Sequence, residues 1–478
     1  MSEPHIFTGP EICAKPAHEV VDLLCKGEVS PAEVLAASFE RIEEVEPSVN
    51  AMPTTCRDRA EAMIEVMDGD ERRPREWLGG LPIGIKDLTE VEGVRTTFGS
   101  LGLADNIPVK SDELVLRLED RGGVVIGKTN SPEMGAGGNT FNAVFGMTRN
   151  PWDTRKNAGG SSGGAAVSLA TGEVWLSQGS DLAGSLRTPA AYCGVVGFRP
   201  SAGVAGGGPA DMKFHTEAVS GPMARSVRDC ALFLDAMAGF DPASPLSWPA
   251  PEKSYHQSVL EVDQKVRIAY APDLNGFTFV SKEMDAHLQG ALAKVAQQGG
   301  TVDLDCPDLP NLDQTYRTLR AMMWAAGPGR APESVQKHFK FTLMNNIEQG
   351  RNLSADQIYD AFAGKSVLYD KMVAFLQDFD VLACPVVGLA SGPVEEEYPQ
   401  FIDSEKLTDY LDWLKYSFLS TTVGLPSVSV PVGLLNGMPV GLQLIGQPRG
   451  EARLLQVARA VEIAVGGPLG PIDPVVKH

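Results

Sequence analysis

The sequence predicts an α/β protein: a single large domain whose central mixed β-sheet is covered by helices on both faces. From about residue 80 onward, short β-branched runs divided by glycine alternate with helical patterns, which is typical of a mixed or mostly parallel sheet wrapped by helices. Near the end of the chain, an Asn-Gly pair separates two alternating apolar runs, which indicates a hairpin. The 478 residues contain no internal repeat, low-complexity tract or linker, so we expect one domain.

An N-terminal helical segment, residues 1–70, is expected to pack on the α/β domain of residues 71–478. Ser30, Pro31 and Glu33 have the spacing of an N-cap, a proline at the first helical position and a capping-box glutamate. The apolar residues that follow recur every three or four positions, which predicts a helix with one buried face. These residues are Val34, Leu35, Phe39, Ile42 and Val45.

Three apolar runs in the next part of the chain predict strands at Leu81–Lys86, Val124–Gly127 and Val174–Gln178. The interval 203–251 is rich in Gly, Pro and Ser, which predicts loops around one helix at Ser226–Ala238. The first strand is the most informative of the three, because it ends in a lysine that an apolar strand would carry into the interior.

The last third of the chain is expected to contain a helical insertion around residues 280–380, followed by a sheet pair and a helix. The alternating runs Ser427–Leu434 and Pro439–Ile445 flank the Asn-Gly pair of the predicted hairpin. The amphipathic pattern of Glu451–Val465 predicts the closing helix.

The charge balance narrows the expected partners. Sixty-one acidic residues against 41 basic ones give a net charge of −20, which disfavours direct nucleic-acid binding. Seven scattered cysteines without a Cys-x-x-Cys pair indicate thiols in a reducing compartment, and the dispersed histidines predict no metal site. No apolar stretch reaches the roughly 18 residues of a membrane helix, and no secretory signal pattern is visible. We expect a cytoplasmic protein that acts on a small molecule without a cofactor, with a homodimer left open.

Residues 122–129, GGVVIGKT, fit the phosphate-binding pattern G-x-x-x-x-G-K-[ST]. Such a loop must wrap phosphate with its backbone N–H groups and then begin a helix. Here valine and isoleucine occupy the loop positions and favour a strand, and Pro132 disfavours a helix that begins at the lysine. We therefore interpret this segment as a strand.

Residues 159–163, GGSSG, fit the G-x-S-x-G nucleophile elbow of α/β-hydrolases. The elbow requires a strand directly before the serine and a downstream acid and histidine. The preceding residues 150–158 are loop-like, and no later histidine has a convincing acid context. An esterase that uses Ser161 as its nucleophile is therefore an alternative and not the preferred interpretation.

Three segments fit together better than either of these motifs. Gly159–Ala166 is GGSSGGAA, Gly179–Ala190 is GSDLAGSLRTPA, and Leu81–Asp87 is LPIGIKD. This set resembles the amidase signature family, whose members carry a G-G-S-S-G-G block, a G-T-D-x-G-G-S-x-R-x-P block and a lysine that ends an earlier strand. Similar blocks at residues 127–130, 221–227 and 424–443 extend the resemblance over about residues 20–465.

The resemblance implies a serine–cis-serine–lysine triad formed by Ser185, Ser161 and Lys86. Ser185 would be the nucleophile, and Ser161 would pass its proton to Lys86. The family pattern also implies a cis peptide bond between Gly160 and Ser161. In this sequence 75 residues separate Lys86 from Ser161 and 24 separate Ser161 from Ser185, which are the family's usual spacings.

The chemistry of these residue types supports the assignment. A serine hydroxyl is a poor nucleophile unless a base removes its proton. A lysine can be that base only when neutral, so its ordinary pKa of about 10.4 must fall by several units. Burial lowers the pKa of lysine, and Lys86 ends an apolar strand.

Ser185 lies between a glycine-rich turn and a predicted short helix, Leu186–Tyr192. The backbone N–H groups of Leu182, Ala183 and Gly184, together with that of Ser185, are therefore expected to converge on a developing oxyanion. An oxyanion hole of this kind is worth about 10²–10³ in rate for each donor.

The sequence departs from the family pattern at Ala183, which replaces a glycine, and at Ser180, which replaces a threonine. A Cβ at Ala183 disfavours positive φ and adds a methyl group near the oxyanion hole, which bears on the size of the acyl pocket. Asp181 and Arg187 match the family, and we interpret them as structural charges that brace the turn.

Substrate recognition is less well defined by the sequence. By the resemblance, Met134, Gly135 and Ala136 lie beside the acyl-binding channel, and methionine suits an apolar pocket. Three further apolar residues are interpreted as helical core and not as part of the site: Met322, Met323 and Trp324.

The sequence thus predicts an amidohydrolase that cleaves carboxylic amides, whether aryl or aliphatic acylamides, amide oligomers or carbamates, through an acyl-enzyme. Besides the esterase, two alternatives are the A subunit of a glutamine-dependent aminoacyl-tRNA amidotransferase and an inactive binding protein on the same fold. Ala183 and the acidic charge argue against the first. The intact Lys86, Ser161 and Ser185 argue against the second.

Overall fold

A computed structural model describes residues 6–68, 76–206, 212–402 and 404–477. The division expected between residues 70 and 71 lies outside the described residues. The strands, in chain order, are β1 (Thr54–Thr55), β2 (Leu81–Lys86), β3 (Gly123–Thr129), β4 (Phe141–Asn142), β5 (Gly146–Met147), β6 (Leu176–Asp181), β7 (Val196–Arg199), β8 (Val219–Ala224), β9 (Arg267–Tyr270), β10 (Thr301–Leu304), β11 (Val381–Pro385), β12 (Phe401–Ile402), β13 (Glu405–Lys406), β14 (Ser427–Leu435) and β15 (Met438–Ile445).

Helices cover the strands along most of the described chain. They are α1 (Glu11–Ala14), α2 (Ala17–Lys26), α3 (Pro31–Val49), α4 (Arg57–Asp68), α5 (Glu113–Asp120), α6 (Gly163–Ala170), α7 (Arg187–Cys193), α8 (Val227–Met237), α9 (Tyr255–Ser258), α10 (Lys282–Gln297), α11 (Leu312–Ala326), α12 (Glu333–Gln336), α13 (Phe341–Arg351), α14 (Ala355–Phe375), α15 (Tyr410–Trp413), α16 (Phe418–Val423) and α17 (Glu451–Val465), with 3₁₀ turns at Leu101–Leu103, Glu133–Gly135, Pro328–Arg330 and Lys415–Ser417.

Eleven strands form one mixed sheet in the order β1-β3-β2-β6-β8-β7-β14-β15-β11-β9-β10. Strand β2 is parallel to both of its neighbours, β3 and β6, whereas β6 and β8 are antiparallel. Because β3, β2 and β6 run in the same direction, their carboxyl ends meet at one edge of the sheet. That edge carries Thr129, Lys86 and Asp181.

Alternation along β3 shows how both faces of the sheet are buried. Val124 and Ile126 belong to an apolar cluster that includes residues of α3 and α6, whereas Val125 belongs to another cluster, together with residues of α5, α8 and α17. Successive strand residues face opposite sides of a sheet, so helices cover both. The predicted fold class is confirmed.

Within the described ranges, every helix is too short or too polar to span a membrane.

The strand predictions differ from the structure mainly at their ends. Strand β2 has the predicted bounds, and β3 extends the predicted strand to Thr129. Strand β6 begins and ends later than the predicted Val174–Gln178. The reason is that the Val174 N–H bonds to the Ser168 carbonyl at the end of α6, so the ladder starts only at Leu176.

The predicted C-terminal hairpin and helix are present, and each hairpin strand is one residue longer at the turn than predicted. Asn436 and Gly437 have φ of 52° and 81°, the positive values that a two-residue type I′ hairpin turn requires. Helix α17 has the predicted bounds. Ser226, predicted as the first residue of a helix, is instead the N-cap of α8, and its side chain accepts from the Asp229 N–H.

The interval 280–380 is not entirely helical, and in this respect the prediction overlooked a strand. Helix α10 connects β9 to β10, which are parallel neighbours at the edge of the sheet, so it belongs to the main α/β arrangement. Helices α11 to α14 follow as a separate group, and α11 reaches the candidate site. The sequence of β10 is short and mostly exposed, which leaves little periodicity to detect.

Candidate active site

Lys86 lies at the carboxyl end of β2 and is fully buried. Its backbone N–H donates to the Gln178 side chain on the adjacent β6 at 3.1 Å, which fixes the position of the strand end. Its amine is within hydrogen-bond distance of three hydroxyl oxygens: Ser161 Oγ at 2.7 Å, Ser162 Oγ at 2.8 Å and Ser180 Oγ at 3.1 Å.

Burial lowers the pKa of Lys86 to about 7, although the nearby Asp181 carboxylate opposes the change. The desolvated interior disfavours the charged ammonium form. Near neutral pH, a substantial fraction of this amine is therefore uncharged and able to accept a proton. Such a lysine is a candidate base.

A cis peptide bond joins Gly160 to Ser161, as the resemblance implied. Glycine is required at position 160, because a Cβ there would lie 2.9 Å from the Gly137 carbonyl oxygen. Helix α6 begins directly after the serine pair. The Ser162 N–H donates to the Ser185 carbonyl at 3.1 Å, so the two serine-bearing turns are held together by their backbones.

Ser185 follows a turn organised by a buried ion pair, as predicted. Arg187 binds the Asp181 carboxylate through two nitrogens, at 2.8 and 3.0 Å. The same carboxylate accepts from the Gly184 and Leu186 N–H groups, each at 3.1 Å. Burial alone would raise the pKa of Asp181, but Arg187 and Arg199 hold this pKa well below its usual range. The turn is therefore built around a permanently ionised carboxylate.

The backbone donors of this turn differ from the prediction at Gly184, whose N–H is already engaged by Asp181. No acceptor for the N–H groups of Leu182, Ala183 or Ser185 is present within the described ranges. The positive φ of the turn, 85°, falls on Gly184, so Ala183 occupies a backbone conformation that alanine tolerates. The expected conformational conflict at Ala183 is absent for this reason.

Tyr316 on α11 contacts this turn from the helical region, a residue that the sequence reasoning missed. Its hydroxyl donates to the Leu182 carbonyl at 3.2 Å. Its buried ring stacks on Phe418, with 3.7 Å between the ring centroids. The contact orients the peptide that precedes Ala183. A lone tyrosine in an amphipathic helix resembles any core aromatic residue, so no sequence signal distinguished it.

A cavity of about 290 Å³ opens over the serines. Ser161 and Ser185 both line it, with 2% and 6% of their surface exposed, and no hydrogen bond joins their two hydroxyls in the described structure. Met134 and Gly135 also line it, whereas Ala136 is buried in the adjoining apolar cluster. The other lining residues are Leu88, Thr89, Asp112, Ser180, Asp181, Leu182, Met212, Ala218, Val219, Ser220, Met323, Trp324, Gly327 and Pro328.

Two interpretations from the sequence change at this cavity. Met323 and Trp324 line it and are not only helical core, because α11 and the following turn at Gly327 form one of its walls. Ser162 and Ser180, which were given no role, both contact the Lys86 amine. The second serine of the G-G-S-S-G-G block was visible in the sequence, but its contact with Lys86 depends on how three separate segments meet.

The structure supports neither of the two competing motifs, the phosphate-binding pattern at residues 122–129 and the nucleophile elbow at residues 159–163. Residues 123–129 form strand β3, and Lys128 is buried against the Thr89 carbonyl and Thr96 Oγ1, so no phosphate loop exists there. Residues 150–160, directly before Ser161, form no strand, and no histidine lines the cavity in the part of the chain described. The described residues also include no group of three or more side chains that could hold a metal ion.

Comparison with known proteins assigns the family. The amidase family profile matches residues 33–455. The chain belongs to the amidase family. It is 35% identical to an acylamidase from Rhodococcus erythropolis over 460 residues, which cover 93% of this chain and 94% of the relative. It is 34% identical to the A subunit of the glutamyl-tRNA(Gln) amidotransferase from Moorella thermoacetica, with 93% and 96% covered.

Solved structures give the same assignment. A bacterial aryl acylamidase of the amidase signature enzymes superposes with a TM-score of 0.86 and 27% identity, covering 97% of both chains. A 6-aminohexanoate cyclic dimer hydrolase in complex with its substrate superposes with a TM-score of 0.85 and 26% identity, covering 95% of this chain and 98% of the other. The amidase is therefore a hydrolase acting on C–N bonds in linear amides.

Proposed function

We propose that this amidase hydrolyses carboxylic amides through an acyl-enzyme on Ser185, with Ser161 and Lys86 as its proton relay. The observation that supports the proposal most directly is the position of the Lys86 amine. It is fully buried and 2.7 Å from the Ser161 hydroxyl, at a cavity that Ser185 also lines. A neutral amine in this position can accept the proton that an attacking serine must lose.

The hydrogen bonds of the neighbouring hydroxyls support a relay in which the proton moves from Ser161 to Lys86. A neutral lysine has two N–H donors and one lone pair. The Ser162 hydroxyl donates to the Ser180 carbonyl at 3.3 Å, so Ser162 Oγ accepts from Lys86. With Ser180 Oγ as the second acceptor, the lone pair faces Ser161, whose hydroxyl then donates to the lysine.

The reaction follows from this arrangement in two halves. Ser185 Oγ attacks the amide carbonyl carbon while its proton passes to Ser161, and the Ser161 proton passes to Lys86. The C–N bond then breaks, and Lys86 returns a proton through Ser161 to the leaving amine. Water next attacks the Ser185 ester, the same relay restores the serine proton, and a carboxylic acid leaves. The contact between Ser185 and Ser161 forms in the substrate complex.

The oxyanion formed in each half reaction requires hydrogen-bond donors. The N–H groups of Leu182, Ala183 and Ser185 are unengaged within the described ranges and lie in the turn that precedes α7. We assign them to the oxyanion. Gly184 serves the turn instead, because its N–H donates to Asp181. Fixed backbone dipoles of this kind stabilise the transition state without reorganisation.

One wall of the cavity is apolar and suits the aryl or aliphatic part of an acylamide. Met134, Met323 and Trp324 supply apolar and aromatic surface. The A subunit of an amidotransferase is the second candidate, because of the 34% identity to such a protein. Glutamine carries an α-carboxylate that calls for a cationic partner, and no lysine or arginine lines the cavity in the described residues. We therefore favour a free-standing acylamidase of the cytoplasm.

Covalent labelling tests the nucleophile. The protein is treated with a fluorophosphonate, and the intact mass and the modified peptide are determined by mass spectrometry. We expect one adduct, on Ser185, because only this serine has both a relay and an oxyanion site beside it. An adduct on Ser161 would instead support the nucleophile elbow and the esterase alternative.

Three variants complete the labelling experiment. Ser185→Ala should prevent labelling and hydrolysis, and Lys86→Met should suppress both while leaving the fold intact. Ser220→Ala is the matched control, since Ser220 lines the same cavity but its hydroxyl accepts from Gln178 and is bonded neither to Lys86 nor to the Ser185 turn. Labelling that survives in Ser185→Ala would place the nucleophile elsewhere.

A further inference from the structure

The cavity over Ser185 has two chemically different walls. One is apolar and aromatic, formed by Met323, Trp324 and Met134. The other includes Thr89 and the carboxylate of Asp112. An acidic side chain is not needed for the proton relay described above, in which Lys86 is the base. Its place in the catalytic cavity therefore calls for another explanation.

Asp112 has a structural role that uses only one of its oxygens. It is the N-cap of α5, and Oδ1 accepts from the Leu114 N–H at 2.8 Å. No hydrogen bond or ion pair to Oδ2 is present in the described part of the chain. A cap needs only a neutral acceptor, and asparagine or serine would serve as well. The charge and the second oxygen are thus left for a partner from outside the protein.

The charges around Asp112 make the cavity wall favourable to a cation. Burial raises the pKa of this carboxyl, and the nearby carboxylates of Glu113, Asp241 and Glu90 raise it further. Among the described residues, the charge of Lys128 interacts with that of Asp112, but the Lys128 amine is itself occupied by Thr89 and Thr96. A partly buried carboxylate without a paired cation is costly and is relieved by a bound one.

We propose that Asp112 is a specificity-determining residue that binds a protonated amine carried by the substrate, at a distance from the scissile amide. The preferred substrates are then amides with one apolar part, held against Trp324 and Met323, and one cationic part, held at Asp112 Oδ2. This inference rests on the proposed function, since it names the substrate class of the same site. The chain's net charge of −20 also favours the approach of cations.

Two pairs of isosteric substrates test the proposal, one pair for each side of the scissile bond. The first pair is 5-aminopentanoyl 4-nitroanilide and hexanoyl 4-nitroanilide, which differ by an ammonium in place of a methyl group. The second is the hexanoyl amide of 4-(aminomethyl)aniline and that of 4-ethylaniline. We expect kcat/KM to be about tenfold or more higher for the cationic member of at least one pair, as is typical of a charged hydrogen bond.

The variant Asp112→Asn should abolish this preference by lowering kcat/KM for the cationic substrates. Asparagine keeps the N-cap of α5, so the melting temperature should change little. Glu113→Gln is the matched control: it makes the same charge change one residue away, lines no part of the cavity, and should keep the preference.

The outcomes separate this inference from the proposed function. Absence of a preference for the cation in both pairs, or a preference that persists in Asp112→Asn, would overturn the role of Asp112. Hydrolysis that does not depend on Ser185 would instead overturn the proposed mechanism. Normal Ser185-dependent hydrolysis of hexanoyl 4-nitroanilide together with equal rates on the charged substrates would refute only the inference about Asp112.

Discussion

Two buried lysines lie at the ends of neighbouring strands, and their comparison shows how the proposed base differs from a lysine without that role. Lys86 ends β2, and Lys128 lies one residue before the end of β3. The strand register pairs Lys86 with Thr129 and Ile85 with Lys128, so the two side chains leave opposite faces of the sheet. Burial lowers the pKa of Lys86 to about 7 and that of Lys128 to about 8.

The surroundings of the two amines differ far more than these pKa values. Lys86 contacts three serine hydroxyls at the edge of a cavity. Lys128 contacts the Thr89 carbonyl and Thr96 Oγ1, and the charge of Asp87 raises its pKa against burial. The Thr96 hydroxyl donates to the Val94 carbonyl and lines no part of the cavity, whereas Ser161 lines it beside Ser185. Burial thus lowers the pKa of both amines, and their partners distinguish the proposed base from Lys128.

The largest expected effect is that of Lys86→Met on activity. Methionine has a similar length and no basic nitrogen, so the relay from Ser161 ends without an acceptor. We expect kcat for a neutral anilide to fall by at least about 10³-fold, measured in steady-state assays. The melting temperature should stay the same or rise, because a buried amine is replaced by an apolar side chain. Substantial residual turnover in this folded variant would contradict the assignment of Lys86 as the base.

Lys128→Met should have the opposite pattern, a loss of stability without a loss of chemistry. Removal of the ammonium leaves the buried Asp87 carboxylate without its cation, although Thr97 still donates to it. We expect the free energy of unfolding to fall by about 3 kcal/mol, measured by urea unfolding, with kcat of the folded enzyme nearly unchanged. A second substitution, Asp87→Asn, should recover part of the loss. A stable Lys128→Met protein that is inactive would contradict the conclusion that Lys128 has a structural role only.

The pH dependence of kcat/KM distinguishes the two lysines by a measurement that does not depend on a loss of stability. In the proposed mechanism the neutral form of Lys86 is the active one, so kcat/KM for a neutral substrate should rise about tenfold per pH unit below pH 7 and level off above it. The pKa of about 7 belongs to Lys86, so Lys128→Met should retain the same midpoint. A profile that falls through pH 7 as pH rises would require a protonated group and would exclude a lysine base.

Which contacts of the candidate site could be predicted from the sequence depends on the distance along the chain between the interacting residues. The contact between Lys86 and Ser161 was implied by the resemblance to the amidase signature family, because both residues lie in blocks that match the family pattern. The wall formed by Trp324 and the contact of Tyr316 with Leu182 were not, because these two residues of α11 lie more than 130 residues beyond the turn that α11 covers. Packing of distant segments decides such contacts, and periodicity records only that one face of α11 is buried.

The same limit applies on a smaller scale at the turn that precedes Ser185. The sequence predicted a conflict between Ala183 and positive φ. The structure assigns the positive φ to Gly184 and uses the Gly184 N–H for Asp181. Which of two adjacent residues takes the left-handed conformation depends on the ion pair around Asp181, and that pair involves a strand end, a turn and a helix at once.

Ser162→Ala tests whether the hydroxyl partners of Lys86, and not its burial alone, distinguish it from Lys128. This substitution leaves the Lys86 amine and its burial in place but removes one of the two acceptors that orient its lone pair toward Ser161. We expect kcat to fall about tenfold with little change in KM, since one neutral hydrogen bond is lost and the substrate contacts remain. The matched control is Ser168→Ala in the helix that follows, whose hydroxyl donates to the Ala165 carbonyl. Equal effects of the two variants would indicate general destabilisation and not loss of orientation.

The smallest effect is expected for Tyr316→Phe, which affects neither lysine. The substitution removes only the hydroxyl that donates to Leu182 and keeps the ring stacked on Phe418. Loss of one neutral hydrogen bond, about 1 kcal/mol, should lower kcat about fivefold and leave both KM and the pH midpoint unchanged. That combination would separate orientation of the turn before Ser185 from proton transfer, because a disturbance of the proposed relay would move the pH profile. A shift of the midpoint in Tyr316→Phe would show that α11 also acts on Lys86, and the difference between the two lysines could then not be attributed to their immediate partners alone.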